Sequence, residues 1–442
     1  MADLGHRVLV LERRPWAGGK TYSFVDRGSG AEIDNGQHIL MRCTTAYVEF
    51  LRRLGTLHLT RMQERLSVPV LDATGRLSVL AASPLPAPLH LLPSFATYAH
   101  LPLRERARVA RAVTAIARMP AGQRDRFAGE TFAGWLRARG LSDFVIREFW
   151  DLIVVPTLNC RSDRASAAQA LFVFQEGLLA SPASAAIGLP LAPLSELHGM
   201  PAVRYIESRG GEVRLRAGVE SLVISGGRVA GLRLSGGAEE RFHACVIALP
   251  PAQALDIVPP LMRGESPFRD MTTFETSPII NLHLWFDGPV MDHEFVAFTG
   301  CELQWAFSRT RIAGRGDGAP DHIVLSLSAA DEILDLEKHE LVARLLPQLR
   351  RALPKARSRT LLRAVVIKEP DATFVPSPGL RRPANTTHLP NLMVAGAYTG
   401  TGWPATMESA VRSGISAARA LDDRAAMVEG AARGMTAEAV VA

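Results

Sequence analysis

The residues best suited to chemistry lie in three short stretches. Asp34-Asn35-Gly36-Gln37-His38 gathers a carboxylate, two amides and an imidazole between apolar runs. Asp-Asn-Gly is good turn chemistry, so the knot is read either as a turn or as a polar loop laid over a ligand. Upstream, Gly18-Gly19-Lys20 places two glycines and a cation where a loop could lie against a phosphate. Before that, residues 7–12 read RVLVLE, a short apolar run closed by the acid Glu12.

That run has the character of a buried parallel strand. The residues before it look like the last turn of a helix with a stop at Gly5. A helix end, a glycine, a strand and a strand-terminal acid make the second half of a dinucleotide-binding βαβ unit. There a carboxylate accepts hydrogen bonds from the ribose hydroxyls. Any other parallel strand is the competing reading. The first half, with its GxGxxG, is not found before Met1 in this sequence. A start assigned too late and a true truncation are the two explanations.

The third stretch lies near the other end. Residues 391–396 read as a buried strand, followed by TGWPATMESAVRSG. Pro404 suits the first position of a helix, and Ala405, Ser409, Ala410 and Gly414 allow close packing. The N-terminus of such a helix carries partial positive charge and open amides, which would stabilise negative charge on a ring or phosphate. Gly400, Gly402 and Ala405 spell GxGxxA, but no second strand with its acid follows.

The elements between must position these groups. Tyr47, Phe50, Leu51 and Leu54 have helical spacing, and 66–80 alternates like a hairpin around Asp72-Ala-Thr-Gly75. Residues 101–119 predict an amphipathic helix rich in arginine. It is read either as a solvated face or as one that rests on an anionic membrane, since a proline-broken apolar segment precedes it. Residues 130–159 predict more helix, with Trp135, Phe149 and Trp150 in a core. Strands follow at 210–234, 242–250, 279–287 and 322–328, and one more around Gln304-Trp305-Ala306-Phe307. His283 reads as a sheet residue with no second metal ligand at suitable spacing.

Composition narrows the classes. Of 442 residues, 47% are hydrophobic and 21% charged, a globular balance. The net charge of +6 comes without a Lys/Arg block, which argues against nucleic acid as a partner. The four cysteines are scattered and form no CxxC, which fits a reducing compartment. Pro84, Pro86, Pro88 and Pro93 break the most apolar stretch, and no signal peptide opens the sequence. A cytoplasmic protein, touching at most the inner face of a membrane, is the expectation. No spaced constellation suggests a metal hydrolase or a Ser-His-Asp enzyme.

Taken in order, Glu12, Gly18-Gly19-Lys20, Asp34-Asn-Gly-Gln-His38 and TGWPATMES resemble the flavin amine oxidase and carotenoid desaturase superfamily. Within it, DNGQH, Gln304-Trp305 and TGWPATMES are especially similar to the hydroxysqualene dehydroxylase family. The resemblance covers residues 1–421. It implies an α/β fold in which an FAD-binding doubly wound, Rossmann-like domain is interleaved with an α+β substrate domain. The FAD part is expected at 1–65, 196–265 and 376–425. The helical substrate part, with the membrane contact, falls at 66–195, the substrate sheet at 266–375 and a flexible tail at 426–442.

The resemblance also implies FAD as cofactor, a long isoprenoid as substrate and reductive removal of the hydroxyl of hydroxysqualene. The electron donor is not specified. Glu12 would hold the ribose, Gly18, Gly19 and Lys20 the pyrophosphate and ribityl chain, and Val219 the adenine. Gly396, Thr406 and Met407 would approach by main chain, with Gln37 near the flavin. His38 or Asp34 would protonate the leaving hydroxyl, and Gln304, Trp305 and Trp403 would line the substrate. This chain departs from the family at Ala397, where an acid is usual, and at Lys20, where arginine is common. A desaturase or oxidase of another isoprenoid, and a flavin-free remnant, are the alternatives.

Overall fold

A computed structural model describes residues 1–315 and 320–438. The run ending in Glu12 forms the strand Leu9–Glu12, capped upstream by a helical turn that Gly5 ends at φ 82°. It pairs in parallel with Glu212–Leu215. The chain divides into two units, one of Met1–Ala17, Ala202–Phe274 and Arg381–Ala442, the other of Gly18–Pro201 and Glu275–Leu380. The first stretch of the first unit ends at Ala17.

In the first unit a second parallel pair joins Cys245–Ile247 to Leu392–Val394. A three-stranded antiparallel sheet runs in the order Val219–Ser225, Arg228–Leu234, Glu239–Arg241. Asn391 ties the two together. Its side-chain oxygen accepts from the Val229 amide at 3.1 Å, and its nitrogen donates to the carbonyls of Val229 and His243 at 2.8 and 2.7 Å. The helix Met407–Glu438 lays Ala417 and Leu421 on Met393 and Ala395. It starts three residues after Pro404, which belongs to the preceding loop and not to the first helical turn. Helical backbone also continues through the expected tail to Glu438, and 439–442 lie outside the described residues.

The second unit is built on a seven-stranded sheet. Its order is Leu361–Phe374, Thr276–Phe286, Asp321–Ser328, Trp305–Ser308, Phe295–Thr299, Ser67–Asp72, Leu77–Ala81. All neighbours are antiparallel except Phe295–Thr299 with Ser67–Asp72. The expected hairpin at 66–80 is its last pair. One face is covered by the helix Lys338–Ala352 through Leu341, Leu345 and Leu349. A helical cluster fills a second core, where Phe132 stacks on Trp135 at 5.9 Å and meets Trp150 edge-on at 5.5 Å. Trp135 and Trp150 are fully buried, as expected of core aromatics. Among the described residues no helix is long and apolar enough to cross a membrane.

Candidate active site

In the second unit, the short strands Ser23–Val25 and Glu32–Asp34 pair antiparallel, with Ser23 opposite Asp34. This places Asp34 at a strand end and buries it. One carboxylate oxygen accepts from Ser23 Oγ at 2.7 Å and from the Leu194 amide at 2.9 Å. Asp34 therefore clamps the entry to a π-helical turn, Ser195–Gly199, which carries His198.

His198 was not singled out from the sequence, and it lies at the centre of the site. Its Nε2 donates to the Thr21 carbonyl at 3.2 Å, which leaves Nδ1 to accept from the Tyr47 hydroxyl at 3.0 Å. Thr21 Oγ1 in turn donates to the Gly18 carbonyl at 3.0 Å. Burial, with a smaller contribution from His38, pushes the His198 imidazole down to about 4. It is a neutral strut between the glycine loop and the helix Thr45–Leu54.

The glycine loop is tightly wound. Gly18 sits at φ 119°, and a Cβ there would lie 2.3 Å from the Thr21 carbonyl oxygen. Asn35 joins this loop to the polar knot, donating through its side chain to the Lys20 carbonyl at 3.0 Å. Lys20 itself reaches the Asp371 carbonyl at 2.6 Å. Asn35 thus ties the glycine loop to the knot that carries Asp34, Gln37 and His38. The knot's floor is the Thr276–Phe286 strand: Asn281 donates to the Asn35 carbonyl at 3.1 Å. Gly36 must be small here, because a Cβ would lie 2.4 Å from Asn281 Nδ2.

His38 is the group with chemical freedom. Its Nδ1 donates to the Gly36 carbonyl at 3.0 Å, so Nε2 carries the lone pair in the neutral ring. Burial lowers its pKa from the ordinary histidine value, and the charges of Asp34 and Glu369 work against that shift. Gln37 accepts from Arg309 at 3.3 Å and donates to the His38 carbonyl at 3.0 Å.

Gln304 and Trp305, expected to line the substrate, lie on and beside the seven-stranded sheet. Gln304 spends its amide on strand pairing, donating to the Ser328 carbonyl and accepting from the Ser328 amide, both at 2.8 Å. These two hydrogen bonds tie Gln304 to the end of the Asp321–Ser328 strand. Trp305 is half-buried and stacks on Phe307 with centroids 6.0 Å apart.

In the first unit, Glu12 ends its strand and accepts from the Arg14 amide at 2.7 Å. Val219 opens the antiparallel sheet opposite Leu234. Gly396 donates through its amide to Ser413 Oγ at 2.8 Å. Thr406 Oγ1 accepts from the Ser409 amide at 3.3 Å, at the start of the helix that Met407 opens. Trp403 lies beneath the Arg412 guanidinium at 5.0 Å. The organiser of this loop is Arg382, which the sequence reading passed over. It donates to the carbonyls of Ala397, Tyr398 and Trp403 at 2.6, 3.3 and 2.5 Å. Burial lowers its pKa to about 10. The Tyr398 hydroxyl beside it is buried with no hydrogen-bond partner among the described residues.

A family model for flavin containing amine oxidoreductases matches residues 1–422. Hydroxysqualene dehydroxylase of Zymomonas mobilis is 26% identical over 419 residues, which cover 94% of this chain and 93% of that protein. Zeta-carotene desaturase of Synechocystis is 26% identical over 464 residues, covering 95% and 93%. Among solved structures, an oxidoreductase from Methanosarcina mazei has a TM-score of 0.72 at 15% identity, covering 95% of each chain. That likeness is one of fold. The residues present fit a flavin nucleotide: a carboxylate at a parallel strand end for hydroxyls, open amides at a helix start for anionic oxygens, and an orphaned phenol at Tyr398 as a further donor.

Proposed function

We propose that this chain, which belongs to the family of flavin-containing amine oxidoreductases and is an FAD-dependent oxidoreductase, acts on a long isoprenoid and removes the hydroxyl of hydroxysqualene to leave squalene. Glu12, Val219, Gly396, Thr406 and Met407, all in the first unit, are residues that would hold FAD. Reduced and bound, FAD supplies the hydride that takes the place of the hydroxyl.

The observation that carries the reading is the tethered imidazole of His38. With Nδ1 committed to Gly36, Nε2 is the nitrogen left to exchange a proton with a substrate oxygen. Departure of an allylic hydroxyl needs one proton on oxygen as the C–O bond breaks and its electron pair leaves with the oxygen. Protonated His38 donates that proton, and water departs. Burial disfavours the imidazolium, while the negative charges of Asp34 and Glu369 support it, Asp34 the more strongly. Asp34 acts as a positioning residue through its clamp on Ser23 and Leu194. The resemblance of DNGQH and TGWPATMES to the dehydroxylase family supports the choice of substrate.

The test is anaerobic incubation of the flavin-loaded, chemically reduced protein with hydroxysqualene, with squalene followed by gas chromatography. Formation of squalene is expected. Dehydrogenation of phytoene-like polyenes by the oxidised protein, with hydroxysqualene untouched, would replace this reading with that of a desaturase. The similarity to zeta-carotene desaturase favours that second reading.

A further inference from the structure

From 77 to 103 the chain carries no Asp, Glu, Lys or Arg. A globular protein hides such a stretch in its core. Here it is only half hidden. Phe95, Tyr98 and Leu101 are buried, and buried His90 donates through Nε2 to the Leu178 carbonyl at 2.9 Å. Between these anchors Leu85, Leu89 and Leu92 are exposed by 43, 51 and 50%, and Leu103 by 75%. Leu77 and Val79 on the adjoining edge strand are exposed as well. The stretch is firmly seated and shows solvent a row of aliphatic side chains.

Its backbone suits an apolar medium. Pro84, Pro86, Pro88 and Pro93 are exposed and have no N–H to satisfy. The Ser83 amide bonds to the His90 carbonyl at 2.7 Å and the Leu89 amide to the Pro86 carbonyl at 2.9 Å. The rim is cationic. Arg76 precedes the stretch, and Arg104, Arg108 and Arg111 follow it, all exposed, on the helix Leu103–Arg118. The same helix is seated through buried Val109, Ala112 and Ile116. The nearby acid Glu105 is paired with Arg108 at 2.8 Å.

We propose that 77–103 is a bilayer-contact surface. Its exposed leucines enter the boundary between headgroups and acyl chains, and the flanking arginines lie on anionic headgroups. Charge complementarity selects this occupant. A second copy of the chain would present the same arginines to themselves, whereas an anionic lipid surface supplies the opposite charge with an apolar layer beneath. The inference stands on this surface alone and holds whichever isoprenoid the enzyme takes.

The experiment is flotation of the flavin-loaded protein with vesicles of phosphatidylcholine, with and without 30% phosphatidylglycerol. Binding to the anionic vesicles is expected, about tenfold or more above the neutral ones, and weakened by raised salt. The exposed double variant L85S/L89S should lose binding about tenfold or more, with an unchanged thermal midpoint and flavin content. R104Q/R111Q should lose the preference for anionic vesicles. Absence of flotation with anionic vesicles, or wild-type binding by L85S/L89S, overturns the proposal. So does self-association that L85S/L89S abolishes in a protein that does not float, since a second copy would then cover the patch.

Discussion

Nδ1 of His283 lies 2.9 Å from Nε2 of His322, two imidazoles sharing one hydrogen bond inside the seven-stranded sheet. The ladder pairs His322 with Trp285 and His283 with Val324, so the histidines are diagonal neighbours on one face. His322 stacks on Trp285 at 4.3 Å. Burial pushes His283 down to about 4, with Arg309 adding to the effect, and His322 to about 2, with His283 and Arg309 adding to it.

Acid should therefore destabilise the protein as pH falls below the ordinary histidine range. The unfolded chain binds protons at these histidines near 6.5, while the folded chain refuses them until about 4 for His198 and His283. Their contribution is fully present above 6.5 and is lost as pH falls toward 4. For His198 it is on the order of 3 kcal/mol. Chemical denaturation at pH 7.5 and 5 should show a clear drop, shallower in His322→Phe. An equal slope in wild type and variant would contradict the assignment.

Gly36→Ala should cost about 1–3 kcal/mol, because the added methyl forces Asn281 out of its bond to the Asn35 carbonyl. The double variant with Asn281→Ala should recover part of that loss. Urea midpoints of the four proteins give the coupling directly. Strict additivity would mean the two residues do not meet.

Asp34 and His38 should separate by readout. Asp34→Ala strands the Leu194 amide and Ser23 hydroxyl, at about 2–4 kcal/mol, whereas Asp34→Asn keeps an accepting oxygen and loses less. His38→Gln should leave the melting temperature near wild type and lower turnover about 100-fold or more. The pKa of His38 is below 6.5, so initial rates should rise as pH falls toward it, and the variant should lose that limb. A variant with the wild-type profile would remove His38 as the acid.

Arg382→Met would leave three carbonyls of the 397–403 loop without their donor. A loss of about 2–4 kcal/mol is expected. Flavin release on dilution, followed by fluorescence, should be faster. Glu12→Ala should weaken FAD about 10–100-fold in a titration of the apoprotein, with little change in melting temperature. Unaltered affinity would mean that another group holds the ribose.

Local patterns in the sequence predicted many of the elements, and the family resemblance grouped the polar knot with the glycine loop. DNGQH and GGK have turn-forming and ligand-facing chemistry written into adjacent residues. His198 and Tyr47 were missed for the opposite reason. They meet 151 positions apart, and the π-helical turn that aims His198 has no periodicity of its own. His283 was read as a plain sheet residue, since its partner emerges only from the register of two strands. Arg382 looked like one arginine among many until its loop of carbonyls closed around it. Gln304 resembled a ligand contact by motif, yet the strand beside it takes both ends of its amide.

The first unit is assembled from three separated stretches of chain, and this has a cost during translation. At roughly 5–20 residues per second, the Leu9–Glu12 strand waits about 10–40 s for Glu212–Leu215 to leave the ribosome. The Cys245–Ile247 strand then waits for Leu392–Val394. Meanwhile the nascent chain carries unpaired strand edges that any passing strand can copy. Slower elongation lengthens that exposure, so the yield of active protein in a cell depends on how fast the chain is made and on which chaperone is present to cover the waiting edge.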